Sequence, residues 1–249
     1  MKNIFKHFLL CFLFLTAIPY PGKIDSEKED FSKILPCFVP VGLVIGLILF
    51  LFSKLFFVLG ISPLLHSALL LVLWALVTGA LHLDGVIDTF DGIGCQDNDR
   101  KLDAMKDSRV GAIGVIGGVF LILLKFAALE TIVENELTAS LLLIIPFSRL
   151  ISVYAIVFLK RNEVNSKSTN LICENASKKD FYINLVIFII FYIFLCICTK
   201  VYVYQLLICV LISFLFAEYL NKKFSGFTGD MYGALIEFSE VVFLLSIAI

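Results

Sequence analysis

The sequence changes from apolar to strongly charged and back again within one stretch, LHLDGVIDTFDGIGCQDNDRKLDAMKDSRVGAIGVIGG, which covers residues 81–118. Between Asp84 and Arg109 this stretch holds seven of the chain's 21 acidic residues and four of its 20 lysines and arginines. Long apolar runs flank it on both sides. A charged segment between such runs indicates a polar functional site carried by a membrane-embedded scaffold.

Three aspartates of this stretch, Asp84, Asp88 and Asp91, follow one another at spacings of four and three residues. On a helix, at about 100° per residue, their carboxylates project within about 60° of one another. Like charges repel, and each costs about 2.5–3.5 kcal/mol near the middle of a bilayer. A divalent cation removes both penalties, and carboxylate oxygens suit Mg²⁺ or Mn²⁺. The triplet therefore predicts a metal site.

The overall composition is that of a membrane protein. Of the 249 residues, 60% are hydrophobic and only 16% are charged, and the mean hydropathy is +0.98. Soluble domains are about one quarter charged, so we predict an all-α, polytopic membrane bundle. A net charge of −1 gives no indication of nucleic-acid binding. The seven cysteines show no CxxC or zinc-ligand spacing, which indicates reduced packing residues.

Apolar runs long enough to cross a bilayer follow one another along the chain. They cover residues 35–60, 64–83, 110–129, 137–159, 181–199, 201–220 and 231–249. Residues 1–18 are apolar after a basic start, but short for a span, so we predict an interfacial or re-entrant helix there. The expected architecture is one membrane-embedded domain over residues 1–249, of about seven spans, with an active-site loop at about 84–109.

The basic residues are distributed unevenly between the two ends of the predicted bundle. If residues 1–18 do not cross, sixteen of the 20 lysines and arginines fall on the side of the 84–109 loop, and the loops of the other side hold only Lys200. An excess of Lys and Arg marks the cytoplasmic side. We therefore predict a multi-pass protein of the cell (plasma) membrane whose active-site loop faces the cytoplasm.

Three basic residues fall inside the apolar runs. Lys54 and Lys125 lie near the outer ends of their predicted spans, where long side chains can reach the interface. Arg149 lies ten or more residues from either end of the 137–159 span, where its side chain cannot easily reach an interface. A mid-span arginine indicates a functional group paired with a carboxylate or a bound phosphate, or else a structural ion pair.

The last predicted span carries acidic residues instead. Asp230, Glu237 and Glu240 lie within about 80° of one another on a helix. Glutamates inside an apolar span are expected to face a polar cavity or a cation rather than lipid. Pairing with Arg149 is the structural alternative.

A basic segment, Lys106-Asp107-Ser108-Arg109, precedes the span that opens with glycines 111, 114, 117 and 118. The glycines are typical of close helix packing. Basic groups, a hydroxyl and free amides at a helix N-terminus also form a phosphate-binding arrangement. Together with the acidic triplet, this segment predicts a site for metal-bridged pyrophosphate, and hence phosphotransfer from a nucleotide-activated donor.

Several segments resemble the membrane-bound adenosylcobinamide-GDP ribazoletransferases, which are also called cobalamin 5′-phosphate synthases. These segments are HLDGVIDTFDG (82–92), MKDSRVGAIG (105–114), PFSRL (146–150) and GFTGDMYGALIEFSE (226–240). The opening FLTAIPYP (14–21) also fits this family. The segments follow the family's order over nearly the whole chain.

The resemblance implies a late step in the assembly of vitamin B12. α-Ribazole, or its 5′-phosphate, attacks the phosphate next to cobinamide in adenosylcobinamide-GDP; GMP leaves, and adenosylcobalamin or its phosphate forms. The implied cofactor is Mg²⁺, with Mn²⁺ as a substitute. The implied partners are the corrinoid-GDP and ribazole substrates and membrane lipid. Contact with other cobalamin-pathway enzymes is compatible with the resemblance, and nucleic acid is not an expected partner.

The expected site residues fall into three groups. The groups expected to bind metal are Asp84, Asp88 and Asp91. The groups expected to bind substrate or its phosphates are Lys106, Ser108, Arg109, Arg149, Glu237 and Glu240. Asp107 or Asp230 assists the metal or accepts the ribazole hydroxyl proton, and His82 is a candidate base or hydrogen-bond donor.

Two other readings of the sequence stay open. A CDP-alcohol phosphotransferase also displaces a nucleotide at an acidic motif, but Asp88 stands where that family's pattern has alanine. In an ion-coupled transporter, Arg149, Glu237 and Glu240 would carry the coupling. No internal repeat of the transporter kind is visible, and the densest charge lies in one segment, which favours an enzyme.

Overall fold

A computed structural model describes residues 2–20, 31–97, 100–107, 109–162, 167–199 and 201–249. These residues form α-helices joined by short connections. An isolated β-bridge pairs Arg161 with Phe227, and the described residues contain no extended β-strand. The α-helices are α1 Lys2–Leu15, α2 Phe38–Val58, α3 Pro63–Thr78, α4 Leu81–Gly94, α5 Lys101–Lys106, α6 Ala112–Glu134, α7 Leu141–Phe158, α8 Lys167–Asn175, α9 Lys178–Thr199, α10 Val203–Phe224 and α11 Gly229–Ala248.

Within the described residues, six helices are long and apolar enough to cross a membrane, and the number is seven if a bent pair of shorter helices counts as one broken span and not as a re-entrant loop. The six are Leu35–Val58, Ala112–Glu134, Thr138–Phe158, Lys178–Cys196, Val203–Phe224 and Gly229–Ala248. The bent pair is α3 with α4, at an angle of 89°. The predicted all-α, polytopic membrane bundle of about seven spans is confirmed.

The predicted span 64–83 ends earlier than expected. Gly79 and Ala80 adopt left-handed backbone conformations, with φ of +65° and +54°, and this terminates α3 at Thr78. The chain then turns into α4, so that the region predicted as a loop begins as a helix. The acidic triplet is therefore carried on helical backbone, as its spacing indicated.

One end of the bundle, which we call the charged face, is formed by the first turns of α6, α9 and α11, beginning at Ala112, Lys178 and Gly229. The helix α1 stays at this end. The amide of Ala17, just after α1, donates to the carbonyl of Val77 at the end of α3 (2.8 Å). His7, in the first half of α1, borders a recess shared with Asp180 of α9. A short N-terminal helix is thus confirmed, and its interfacial or re-entrant position stays a prediction.

The helix α4 packs directly on the first turns of α6 and α11, and glycines allow the contact. A methyl group built at Gly85 would lie 2.5 Å from the carbonyl oxygen of Asp230, and one at Gly114 would lie 2.6 Å from that of Ile87. The two most enclosed spans are Thr138–Phe158 and Gly229–Ala248, each 72% buried. The acidic helix therefore packs against one of the two most buried spans.

Candidate active site

Four aspartates meet at the charged face. Asp84, Asp88 and Asp91 come from α4, and Asp230 comes from the first turn of α11, where Gly85 lets the two helices touch. The carboxylates of Asp84, Asp230 and Asp91 all act electrostatically on Asp88. Asp84 is exposed, and the other three are half-buried. Residues about 140 positions apart in sequence thus form one strongly negative cluster.

Asp91 makes the best-defined contacts of the four. One of its carboxylate oxygens accepts a hydrogen bond from the amide of Gly111 and the other from the amide of Gly114, both at 2.7 Å. These amides open α6, whose N-terminus favours negative charge. The amide donors that the sequence assigned to a phosphate are therefore occupied by a side chain of the protein itself. Asp91 fixes α4 against α6.

The predicted phosphate-binding segment before α6 is solvent-exposed. Arg109 Nη2 and Nε bind the two carboxylate oxygens of Asp107 at 2.9 and 3.1 Å, and this partner lowers the pKa of Asp107 to about 2. Lys106 is also exposed. Ser108 lies outside the described residues. Asp107 is therefore a stable anion committed to its neighbour, which makes it a poor proton acceptor.

A cavity of about 320 Å³ opens beside the acidic cluster. Its lining residues come from α1, α2, α4, α7, α8 and α11 and are Phe14, Leu15, Phe38, Leu81, His82, Asp84, Ser152, Ile156, Thr169, Ile172, Cys173, Gly229, Asp230, Tyr232, Gly233 and Ile236. His82, Asp84 and Asp230, three of the predicted site residues, thus border one space. The rest of its wall is mostly apolar.

The charges predicted inside the spans form a separate cluster in the core. Lys125 Nζ contacts Glu237 Oε2 at 2.8 Å and Glu240 Oε2 at 2.7 Å, and Arg149 Nη1 contacts Glu240 Oε1 at 2.9 Å. Lys125 also lies 3.8 Å from the centre of the Trp74 ring. Two cations and two anions make the cluster neutral, as burial in a bilayer requires.

The prediction that Lys125 reaches the membrane interface is wrong. The span predicted at 110–129 continues to Glu134 as α6, so that Lys125 lies in its interior and is only 2% exposed. The two glutamates seven and ten residues after Asp230 were the signal that a cation was needed nearby. Lys54, by contrast, is exposed near the end of α2, as predicted.

The acidic cluster is chemically suited to a hard divalent cation. It offers only carboxylate oxygens, the donors that Mg²⁺ and Mn²⁺ prefer, and its crowded negative charge calls for a counterion. Within the described ranges, no three His, Cys, Asp or Glu side chains converge on one point in their present rotamers. The donor set fits such an ion in kind and in charge.

The sequence reading missed a basic recess of about 670 Å³ at the other end of α4. Lys101, Lys222 and Lys223 line it together with Ser225. Lys223 Nζ donates to the carbonyl of Ile93 near the end of α4, at 3.0 Å. The adjacent Lys222 and Lys223 at the end of α10 were the available signal. Positive charge therefore lies within one or two turns of the acidic cluster.

Comparison with known proteins decides the family. The family model described as cobalamin-5-phosphate synthase matches residues 7–248. The chain belongs to the cobalamin-5-phosphate synthase family. An adenosylcobinamide-GDP ribazoletransferase of Clostridium tetani is 34% identical over 252 residues, with 98% of this chain and 96% of the relative covered. The relative from a Thermoanaerobacter species is 36% identical, with 96% of each chain covered.

A more distant relative of the same name, from Thermosynechococcus vestitus, is 29% identical and covers the whole of this chain and 98% of its own length. No solved structure matches. The match to the cobalamin-5-phosphate synthase family spans every site residue described above, from His82 to Glu240. The charged face, the cavity and the buried ion cluster therefore all lie within the matched region.

Proposed function

We propose that this chain joins adenosylcobinamide-GDP with α-ribazole or α-ribazole 5′-phosphate, releasing GMP, at the aspartate cluster of the charged face. The observation that most strongly supports this site is that Asp84 and Asp230 line one cavity, with Asp88 within electrostatic reach of both carboxylates. Family membership supplies the reaction. The cluster supplies the chemistry that such a reaction needs, namely anionic ligands and a proton acceptor.

The reaction is a displacement at phosphorus. A ribose hydroxyl oxygen of ribazole attacks the phosphorus next to cobinamide, and the bond from this phosphorus to the bridging oxygen breaks. GMP leaves with that oxygen and its electron pair, and the hydroxyl proton passes to a protein base. Positioning and charge stabilisation supply most of the rate enhancement in such reactions.

We propose Mg²⁺ as the cofactor of this site, with Asp84 and Asp88 as its protein ligands. When bound, the ion neutralises charge on the phosphate oxygens. Asp91 is our candidate for a positioning residue, because each of its oxygens accepts a hydrogen bond from an amide at the start of α6; each oxygen keeps a second lone pair, so its role as a metal ligand stays a prediction. Binding of Mn²⁺ to the purified protein, followed by electron paramagnetic resonance, tests these ligands independently of turnover; weakened binding in Asp84→Asn with retained binding in Asp107→Asn supports the assignment.

Asp230 is our candidate for the group that accepts the hydroxyl proton. It lines the cavity together with Asp84, whereas Asp107 is exposed and paired with Arg109. His82 is a buried residue of the same cavity wall, and we assign it to orienting the acceptor substrate and not to accepting the proton. Of the two carboxylates that the sequence left open, only Asp230 borders a space that a substrate can enter.

The donor's phosphates are bound by basic groups of the charged face. Lys106 and Arg109 extend from the segment before α6, and the recess with Lys101, Lys222 and Lys223 lies beyond the other end of the acidic cluster. We assign Arg149, Glu237 and Glu240 to the fold, because they neutralise one another and Lys125 in the core. Each charged group of this cluster contacts a group of opposite charge, which favours a structural role over transport coupling.

The charged face looks toward the cytoplasm in this proposal. Described basic residues such as Lys33, Lys106, Arg161 and Lys178 lie at this end, whereas Glu134 lies at the other. The excess of Lys and Arg is the physical basis for that orientation. Single-cysteine labelling at Ser225 in intact and in opened cells tests it: labelling only after opening is expected, and labelling of intact cells would reverse the orientation.

The activity is tested with the purified full chain in liposomes, supplied with adenosylcobinamide-GDP, α-ribazole and Mg²⁺. Chromatography should show GMP and a complete corrinoid appearing in equal amounts. The α-ribazole 5′-phosphate should be tested in parallel. Folded protein that forms neither product with either acceptor would overturn the proposed function.

A further inference from the structure

The cavity beside the acidic cluster has two chemically different parts. Its outer edge carries the carboxylates of Asp84 and Asp230. Its inner wall is apolar and aromatic, with Phe14, Phe38 and Ile156 among the contributors. No lysine or arginine occurs among its described lining residues. A ligand that enters this space therefore needs a flat or compact apolar part and gains nothing from carrying a phosphate inward.

Two buried polar side chains interrupt the apolar wall without partners in the structure. His82 is 5% exposed, and its Nδ1 has no hydrogen-bond partner among the described residues. Ser152 of α7 is 1% exposed, and its Oγ also has no hydrogen-bond partner among the described residues. Buried polar atoms are normally satisfied, since leaving them unpaired costs about 1–3 kcal/mol each. Both residues line the cavity, so a ligand with polar atoms can satisfy them.

The donor substrate does not suit this space. Adenosylcobinamide-GDP carries a macrocycle and two negatively charged phosphates, and the cavity, at about 320 Å³, lies at the small end of the range for ligand pockets. The described lining also offers no lysine or arginine to pair with the phosphates. A ribazole consists of a largely apolar benzimidazole ring on a ribose with several hydroxyls. This acceptor matches the apolar interior, the two polar atoms and the acidic edge.

We propose that this cavity is the acceptor pocket, with the benzimidazole ring of ribazole directed inward. His82 and Ser152 hydrogen-bond to the nucleoside, and the ribose lies at the edge, with a hydroxyl facing Asp84 and Asp230. A 5′-phosphate, where present, stays outside. Ile156 and Ile172 limit the size of the ring that fits. This inference rests on the proposed function, because it names the site for one of that reaction's substrates.

The pocket is tested by changing its size. Ile156→Phe, in the full chain in liposomes, adds bulk to the wall that contacts the ring. We expect kcat/KM for a dimethylated benzimidazole riboside to fall on the order of tenfold or more relative to the unmethylated riboside, because each methyl group must now be accommodated in less space. The KM for adenosylcobinamide-GDP should not change. The matched control is Ile190→Phe, on the exposed face of α9.

Binding without turnover gives the second readout. With EDTA and no donor, equilibrium dialysis of radiolabelled α-ribazole should show weaker binding to Ser152→Ala, a small change that tests the pocket even if Ile156→Phe does not fold. Unchanged ribazole binding and unchanged acceptor preference would overturn the pocket, as would an effect confined to the donor. Failure of the unmodified protein to form GMP and corrinoid would instead overturn the proposed function.

Discussion

At the scale of single residues, the aspartates of α4 have different tasks although they share one face of the helix. Asp91 is held by two amides of α6, whereas Asp84 lies exposed at the mouth of the cavity. The spacing of the triplet predicts their common face. It does not predict that one of them is used to fix a neighbouring helix, because that partner is set by the packing of distant sequence.

Asp84→Asn and Asp88→Asn are expected to lower kcat at least about a hundredfold, since a metal ligand accounts for several kcal/mol of charge stabilisation. Membrane insertion and the melting temperature in detergent should stay near those of the unmodified protein. Asp103→Asn, an exposed carboxylate on α5, is the control and should retain activity. Near-normal turnover of either α4 variant at ordinary Mg²⁺ would remove the metal site.

Asp107→Asn is expected to leave the acid limb of the kcat/KM–pH profile in place. Arg109 lowers the pKa of Asp107 to about 2, so this carboxyl stays ionised above about pH 4 and cannot produce a limb at higher pH. The lowered pKa of Asp107 stabilises the folded state. This contribution is fully present above the pKa that Asp107 has in the unfolded chain, and it is lost only as the pH falls toward 2. Disappearance of the acid limb in this variant would make Asp107 the base instead of Asp230.

At the scale of elements, the site depends on how closely α4 approaches α11. Gly85→Ala places a methyl group 2.5 Å from the Asp230 carbonyl oxygen, which is backbone and cannot swing aside. We expect a loss of about 1–3 kcal/mol in stability, as for other overpacked sites, and a fall in kcat as Asp84 and Asp230 separate. Thermal unfolding and steady-state rates should be measured together.

Gly118→Ala is the matched comparison for this packing effect. Its added methyl group would meet the Ile87 side chain at 3.2 Å, a milder contact with atoms that can move. This variant should keep most of its activity and stability. Equal losses of stability and activity in both variants would show that the effect is not specific to the α4–α11 contact. Unchanged stability and activity in Gly85→Ala would show that the site does not depend on this contact.

The helices themselves were predictable to a large degree, because apolar length and the charge bias follow directly from bilayer physics. The short helix α1 and the helical acidic triplet also followed from the sequence. The break at Gly79 and Ala80, which turns α4 by 89° from α3, did not. The apolar pattern runs through this break to Leu83, and only a tertiary position for α4 makes the left-handed turn favourable.

At the scale of the whole molecule, the neutral ion cluster joins α6, α7 and α11 in the core. Arg149, Glu237 and Glu240 could be recognised in the sequence as buried charges that need partners. Their arrangement could not, since the reach of Lys125 depends on where α6 ends. The acceptor cavity is likewise lined by residues from six helices, so no local sequence pattern predicts it.

Lys125→Met should destabilise the protein by about 3–5 kcal/mol, because it leaves two glutamates buried with one remaining cation. The double variant Lys125→Met with Glu237→Gln restores neutrality and should recover part of that loss. Detergent melting temperatures and the folded yield measure both effects. A stable Lys125→Met protein with a raised KM for the donor would instead place this cluster in the substrate site.

The central claim is that the aspartates of the charged face hold a divalent ion and carry the transfer. The most direct test is to strip the purified protein with EDTA and follow GMP and corrinoid formation while Mg²⁺ is added back. We expect no turnover in EDTA, coupled recovery of both products with a saturating Mg²⁺ dependence, and a shift of that dependence to higher Mg²⁺ for the residual activity of Asp88→Asn. Full turnover in EDTA, or an unshifted Mg²⁺ dependence in that variant, would contradict it.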